Sequence, residues 1–261
     1  MSLRTVSATR YVTPLREGGS MPAVVEADDE GMYVLKFRGA GQGAKALVAE
    51  LIAGEIARAL DLPIPEIVLM ELDPDLARTE PDPEIQHLIR ESAGLNLALD
   101  YLPGAVNFDP VAEQPSAELA SRIVWFDAYV SNVDRTPRNT NLLMWHRQLR
   151  LIDHGAALYF HHGWDGSSVN ADNPFKMIKD HVLLPWAQAL PAADAALSAK
   201  LDRDLLQDIV AQVPDSWLSN NLDTIDAVAD AAMRRAAYVE YLVRRLDQRQ
   251  SFVQEAIHAR Q

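Results

Sequence analysis

The first hundred residues alternate between short extended runs and turn formers. Arg10-Tyr-Val-Thr-Pro-Leu15 and Ala23-Val-Val-Glu26 flank Gly18-Gly19-Ser20, and Asp28-Asp-Glu-Gly31 precedes Met32-Tyr-Val-Leu-Lys-Phe37. Runs rich in β-branched and aromatic residues, bounded by Gly, Asp and Pro, predict a β-hairpin region over residues 1–38. Leu47, Leu51, Ile52 and Ile56 recur at helical spacing within a stretch of strong helix formers, predicting a helix from Ala44 to Leu60. Asp61-Leu-Pro63-Ile-Pro65 ends it, because proline lacks an amide donor and clashes with the preceding turn. Ile67–Leu72 reads as a strand, and the polar stretch 73–93, with its three prolines, reads as a surface excursion. Leu95-Asn-Leu-Ala-Leu-Asp-Tyr-Leu102 alternates as a strand and leaves at Pro103-Gly104.

From Ser116 onward the period changes. Glu118 to Ser131 is helical, a polar loop follows, and Leu142–Trp145 with Leu149–Asp153 predicts a short hairpin. After an irregular stretch from His161 to Pro174 the chain reads as helix. Pro214-Asp215 and Asn220-Asn221 divide its segments, and one long amphipathic pattern runs from Asp223 to Ala259. There is no internal repeat and no low-complexity tail. The expected fold class is α+β: a small sheet lobe with one helix over residues 1–104, then a mainly helical lobe over 105–261, joined near 100–115.

Composition narrows the function classes. With 48% hydrophobic and 23% charged residues the chain has the balance of an ordinary globular protein. No apolar run approaches the roughly 20 residues that span a bilayer, and the N-terminus carries no secretion signal, so a cytoplasmic protein is expected. The absence of cysteine excludes disulfides, thiolate metal sites and a cysteine nucleophile. A net charge of −13 argues against nucleic acid and anionic lipid as partners. Arg234, Arg235, Arg244, Arg245 and Arg249 are interleaved with acids and read as a solvated helix face.

The chemistry concentrates in Ser131-Asn-Val-Asp134-Arg-Thr-Pro-Arg-Asn139-Thr-Asn141 and Leu151-Ile-Asp153-His-Gly155. Phosphoryl transfer asks a protein for an acid that orients a hydroxyl and for oxygen ligands that hold Mg²⁺ against phosphates. Asp134 suits the first task, and Asn139 and Asp153 the second. An acid, an asparagine five residues on and a strand-borne Asp-x-Gly stand in the order of a kinase catalytic loop and metal-binding loop. Taken singly, Asn132, Asp134 and Asn139 are also common turn formers. Lys36 is a lone cation in an apolar strand, either a snorkelling edge residue or a cation aimed into a cleft, where it would suit the α- and β-phosphates of ATP. Glu50 is its expected partner on the following helix, with Glu55 the other candidate. Gly18, Gly19 and Ser20 suit a backbone lid over phosphates, although Gly-Gly is also an ordinary hairpin turn. Gly39-x-Gly-x-Gly43 matches neither a dinucleotide fingerprint nor a Walker loop and reads as a mobile loop. His154, His161 and His162 near Asp153 suggest a rival, a transition-metal hydrolase site.

Together these stretches resemble the HipA-like kinase family, distant relatives of protein kinases. Tyr33-Val-Leu-Lys36-Phe, Ala49-Glu50-Leu and Leu62-Pro-Ile-Pro65 resemble its lysine strand, helix and continuation. Leu99-Asp100-Tyr101-Leu102-Pro-Gly resembles its lobe connector, Asn132–Asn139 its catalytic loop, and Ile152-Asp153-His-Gly155 its metal-binding triplet. Asn173-Pro-Phe and Lys179-Asp-His-Val-Leu resemble the segment that follows. The resemblance implies a two-lobed protein-kinase-like fold that transfers the γ-phosphoryl group of ATP to a hydroxyl on a protein or a small molecule. Lys36 would hold phosphates, backbone groups of Asp100, Tyr101 and Leu102 would meet adenine, Asp134 would act as base, and Asn139 and Asp153 would bind Mg²⁺. Ala23 departs from the family's phosphate-loop lysine, and Thr136 stands in place of a histidine or lysine. The missing N-terminal extension of the family's toxins argues against a toxin role. The alternative is a catalytically weak nucleotide- or partner-binding module on the same fold.

Overall fold

The computed structural model describes residues 3–15, 21–41, 43–162, 170–218 and 225–261. Gly18, Gly19 and Ser20, the expected phosphate lid, lie outside the described residues. Strands β1 (Thr5–Pro14), β2 (Ala23–Ala27), β3 (Met32–Lys36), β4 (Ile67–Leu72) and β5 (Gly94–Asp100) close into a barrel in the order β1-β2-β3-β5-β4. Pairing is antiparallel except between β1 and β4, which run parallel with Val6 opposite Met70. The two-residue period of each strand separates two apolar faces. Tyr33, Leu35, Val68, Met70 and Ala98 fill the barrel, whereas Ile67, Leu97 and Leu99 face outward into the main core. Ala23 is fully buried inside the barrel. A lysine at that position would point into apolar packing, so the alanine there follows from the register.

Helix α1 (Ala44–Ala59) belongs to the outer core, where its apolar residues join those of β4 and β5. Gly54 permits the close approach, since a Cβ at that position would stand 2.3 Å from Ile67 Cδ1. The stretch expected as a polar excursion is ordered and has a structural task. It forms a 3-10 turn (Pro74–Thr79) and helix α2 (Pro83–Glu91), and Ile85, Leu88 and Ile89 of that helix pack on the barrel interior. Proline at the first helical position and the Asp82 carboxylate accepting from Glu84 N (2.9 Å) start α2, which explains why a proline-rich stretch is helical.

The second half opens with β6 (Val106–Asn107) and helix α3 (Ala117–Val130), started by the Ser116 hydroxyl accepting from Leu119 N at 3.1 Å. Strands β7 (Leu142–Trp145) and β8 (Gln148–Leu151) form the expected hairpin and pair with β6. Helices α4 (Leu190–Ser198), α5 (Arg203–Ala211), α6 (Asp215–Leu218), α7 (Ile225–Asp247) and α8 (Gln250–Arg260) complete the chain. The single amphipathic run expected from 223 to 259 is thus two helices. The break lets α8 turn back onto α3, where Phe252 meets Trp125 and Tyr129 with ring centres 5.7 and 6.2 Å apart. One core cluster holds α1, the outward residues of β4 and β5, and α3 with the later helices, so the two halves share their packing. Among the described residues no helix is long and apolar enough to cross a membrane.

One of the C-terminal arginines departs from the solvated face expected of them. Arg244 is exposed, but Arg245 is fully buried. Its guanidinium donates to the carbonyls of Ala128, Tyr129, Ala171 and Asn173 and lies 4.9 Å from the Phe252 ring centre. The last carbonyls of a helix have no intrahelical donors, and a cation is favourable at that end. Arg245 therefore caps α3 at the point where the chain enters the loop containing Asp134.

Candidate active site

The sheet, α1 and the turn after β8 bring three predicted residues to one point. Lys36 ends β3 on the face opposite the barrel-filling Tyr33 and Leu35, and its Nζ donates to Glu50 Oε2 and to Asp153 Oδ1, both at 2.6 Å. Glu50, from the middle of α1, is fully buried, whereas the Asp153 side chain is 45% exposed. This identifies Glu50, not Glu55, as the lysine's partner. Glu55 instead engages Arg58 and Gln212. Burial alone would drive Lys36 to lose its proton, but the Glu50 and Asp153 carboxylates outweigh that and hold the ammonium above the usual lysine range. Burial would likewise raise the Glu50 carboxyl, yet Lys36 and His154 bring it down to about 2. Asp153 itself adopts a left-handed backbone with φ of 56°, a conformation that disfavours a side chain and that aspartate tolerates better than most.

The loop after α3 brings the other two together. Asn139 Nδ2 donates to Asp134 Oδ2 at 2.8 Å, and Asn141 Nδ2 donates to the Asp134 carbonyl and to the same Oδ2 at 2.7 and 3.3 Å. Asp134 Oδ1 has no partner among the described residues. Thr136 N donates to the Asn139 carbonyl (2.9 Å), closing the turn that returns Asn139 to Asp134. Ile152 N donates to the Asn141 carbonyl at 3.1 Å, which ties this loop to the residue just before Asp153.

Beneath the loop lies a polar network that sequence reasoning missed. Asp127, wholly buried in α3, accepts from Arg135 Nε (2.6 Å), Asn132 Nδ2 (2.9 Å) and His181 Nε2 (2.9 Å). Arg135 also donates to the Asn141 and Ile152 carbonyls. Leu183 N donates to His181 Nδ1 at 3.0 Å, so His181 carries its proton on Nε2 and is held neutral by burial, which lowers its pKa. Burial would raise the Asp127 carboxyl, but Arg135 and His181 hold it well below the usual carboxylate range. A charged residue inside the apolar run Ile123-Val-Trp-Phe-Asp-Ala-Tyr-Val was the available signal for Asp127. His181 lies in Lys179–Leu183, a stretch that carries part of the resemblance, but nothing local marks its contact with Asp127.

The expected adenine connector follows β5. Asp100 N and Tyr101 N donate to the carbonyls of Glu66 (2.8 Å) and Met32 (2.9 Å), which commits them to the barrel. The Leu102 amide has no hydrogen-bond partner among the described residues.

The three histidines of the rival metal reading are divided among separate tasks. His154 Nδ1 lies 3.4 Å from Glu50 Oε1, and its ring meets Phe126 edge-on. His161 faces the Tyr238 hydroxyl through Nδ1 (3.0 Å) and His162 Nε2 through its own Nε2 (3.2 Å). Among the described residues no group of three or more His, Asp or Glu converges as a metal site would require. Burial first, then His162 and Lys45, lower His161 to about 3. Its unfolded value is about 6.5, so the unfolded chain binds the extra proton between those limits and stability falls as pH drops through that window. His161 alone should contribute a slope of about 1.4 kcal/mol per pH unit. Chemical denaturation from pH 6.5 to 4.5 should show His161→Gln with a slope shallower by about that amount; an unchanged slope would place the titration elsewhere.

A donor set of one carboxylate and one amide oxygen suits a hard cation such as Mg²⁺, which retains water and phosphate oxygens as its remaining ligands. With Asn139 Nδ2 spent on Asp134, its Oδ1 remains for that role.

Solved structures share the architecture. The Helicobacter pylori proinflammatory kinase CtkA matches over 98% of this chain and 97% of its own, at TM-score 0.52 and 12% identity. The Golgi casein kinase with Mn/ADP bound matches over 99% of this chain and 74% of its own, at TM-score 0.50 and 11% identity. At such identities the likeness is one of fold. No curated protein sequence matches. A family model described as HipA-like kinase matches residues 9–250. That span takes in the barrel except the start of β1, α1, the Asp134 loop, the Asp153 turn and the helices through α7, stopping at the first residue of α8, and the chain belongs to the HipA-like kinase family.

Proposed function

We propose that this chain is a kinase that transfers the γ-phosphoryl group of ATP to a hydroxyl. The observation that carries the reading is the placement of Lys36 within 2.6 Å of both Glu50 and Asp153. A lysine so held is fixed in position and charge for the α- and β-phosphates. The Leu102 amide is the connector donor left for adenine. Asn139 and Asp153 would hold Mg²⁺, which when bound offsets the charge of the phosphates.

In the transfer, the acceptor oxygen forms a bond to the γ-phosphorus while the bond from that phosphorus to the β,γ-bridging oxygen breaks. ADP leaves, and the hydroxyl proton passes to Asp134. Asn139 and Asn141 orient Asp134 through Oδ2, leaving Oδ1 to receive the hydroxyl. That a structure of this fold was solved with Mn and ADP bound supports a nucleotide and a divalent cation here. Ala23 does not weigh against phosphate binding, since its side chain points into the barrel.

The first test is transfer of labelled γ-phosphate to protein and small-molecule hydroxyl acceptors with and without Mg²⁺. Cation-dependent product is the expected result; no product from any acceptor, together with no ATP hydrolysis, would sink the reading. Thermal melting isolates the binding step. At 100 times its dissociation constant ATP should stabilise the chain by about 2.7 kcal/mol, or roughly 5–10 °C. Asp153→Asn should remove the Mg²⁺-dependent part of that shift, and an equal shift in the variant would move the cation off Asp153.

A further inference from the structure

We propose that a groove beside the Asp134 loop docks an acidic peptide segment of the acceptor, which makes the acceptor a protein. The inference deepens the kinase reading and rests on it for the groove's purpose. The groove has a volume of about 390 Å³ and lies between Pro137 of the loop, the segment from Lys179 to Pro185 and the end of α8. Val182, Leu184, Pro185 and Ala259 give it apolar walls, and Lys179 and Arg260 give it cations.

Charge decides the occupant. Lys179, Arg260 and Arg138, which follows Pro137, are exposed, and none has an ion-pair partner among the described residues. Asp180 is the one acid lining the groove, and His181 is tied to Asp127 beneath it. The chain as a whole carries 37 acidic against 24 basic residues, so most of its surface repels an acidic peptide. The local excess of unpaired cations here runs against that balance, and it borders the catalytic loop. Complementary charge of this kind steers and selects a partner.

Position supports the same reading. Val182 N donates to the Arg135 carbonyl at 3.0 Å, so the groove wall is bonded to the loop one residue from Asp134. Pro137 is three residues from Asp134, at most about 10 Å of extended chain. A peptide resting on Pro137 therefore has a hydroxyl a few residues away that can reach Asp134 Oδ1.

Fluorescence anisotropy tests this without turnover, using labelled Glu-Glu-Ser-Leu-Glu-Glu and its counterpart with glutamine in place of each glutamate. The wild-type chain should bind the acidic peptide at least about tenfold more tightly, with a preference that fades as salt rises. The doubly substituted Lys179→Glu/Arg260→Glu chain should lose the preference, and Lys179→Arg/Arg260→Lys should keep it. Should the charge reversal melt well below the wild type, Arg260→Gln alone provides the comparison. Equal affinity for the two peptides, or a preference that survives charge reversal, would overturn the proposal. Self-association abolished by charge reversal, without peptide preference, would assign the groove to a second copy and overturn it equally. Peptide preference in a chain that transfers no phosphate would instead remove the kinase reading and leave the docking site standing.

Discussion

Asp134→Ala is expected to lower phosphoryl transfer by about 10²–10⁴-fold, the range for removing a positioned general base, while barely changing the melting temperature. The residue is only half-buried, and its hydrogen bonds come from the exposed Asn139 and from Asn141, which also bonds the Asp134 backbone carbonyl. Removing the carboxylate therefore leaves the loop closed by Thr136, Arg135 and Asn141. Asp134→Asn keeps the shape and removes the proton acceptor, so it should fall with the alanine variant. ATP affinity should remain near wild type in both, because Lys36 and Asp153 are untouched. The two rates are compared with labelled ATP under single-turnover conditions, which removes product release from the measurement. Transfer by Asp134→Ala at the wild-type rate would exclude this carboxylate as the base.

How far the sequence disclosed this site depended on how local each signal was. Lys36, Glu50, Asp134, Asn139 and Asp153 lie in short runs that a local pattern singles out, and the fold makes the expected Lys36–Glu50 contact together with two that were not expected, Lys36 with Asp153 and Asn139 with Asp134. The α+β order and the long elements were legible because strand and helix periods differ. What escaped was long-range. Asp127 meets Arg135 and His181 across 8 and 54 residues, and no pattern links such positions. Arg245 looked like a surface cation because its neighbours are charged, and only the folded chain places it on the open carbonyls of α3. The excursion at 73–93 looked polar because the three apolar residues that bury α2 are too few to dominate its composition. The break in the last long helix has no proline or glycine to announce it, and packing of Phe252 decides it.

The second large effect concerns the buried ion pair. Lys36→Met leaves Glu50 fully buried without its ammonium partner, and breaking one side of such a pair costs about 3–5 kcal/mol. For a chain of this size that is roughly 10 °C in melting temperature. Replacing both partners, as in Lys36→Met/Glu50→Gln, should recover at least half of the loss, because the charge that burial penalises is gone. The pH dependence carries a sign that separates this account from simple loss of packing. In the wild type the Glu50 carboxyl is lowered to about 2 from an unfolded value of about 4.3. Its ionised form thus contributes stability above pH 4.3 that is lost as pH falls toward 2. Without Lys36, burial is left opposed only by His154 on one carboxylate oxygen, and the group moves upward. A raised carboxyl costs stability as pH rises above its unfolded value, so the gap between wild type and Lys36→Met should narrow on going from pH 7 to pH 5. A constant gap would assign the loss to packing. Both variants should fail to transfer phosphate, since neither keeps the cation for the α- and β-phosphates. A stable double variant without activity would separate what the pair does for folding from what the lysine does for the nucleotide. Full activity in that variant would return the phosphate-binding role to some other residue.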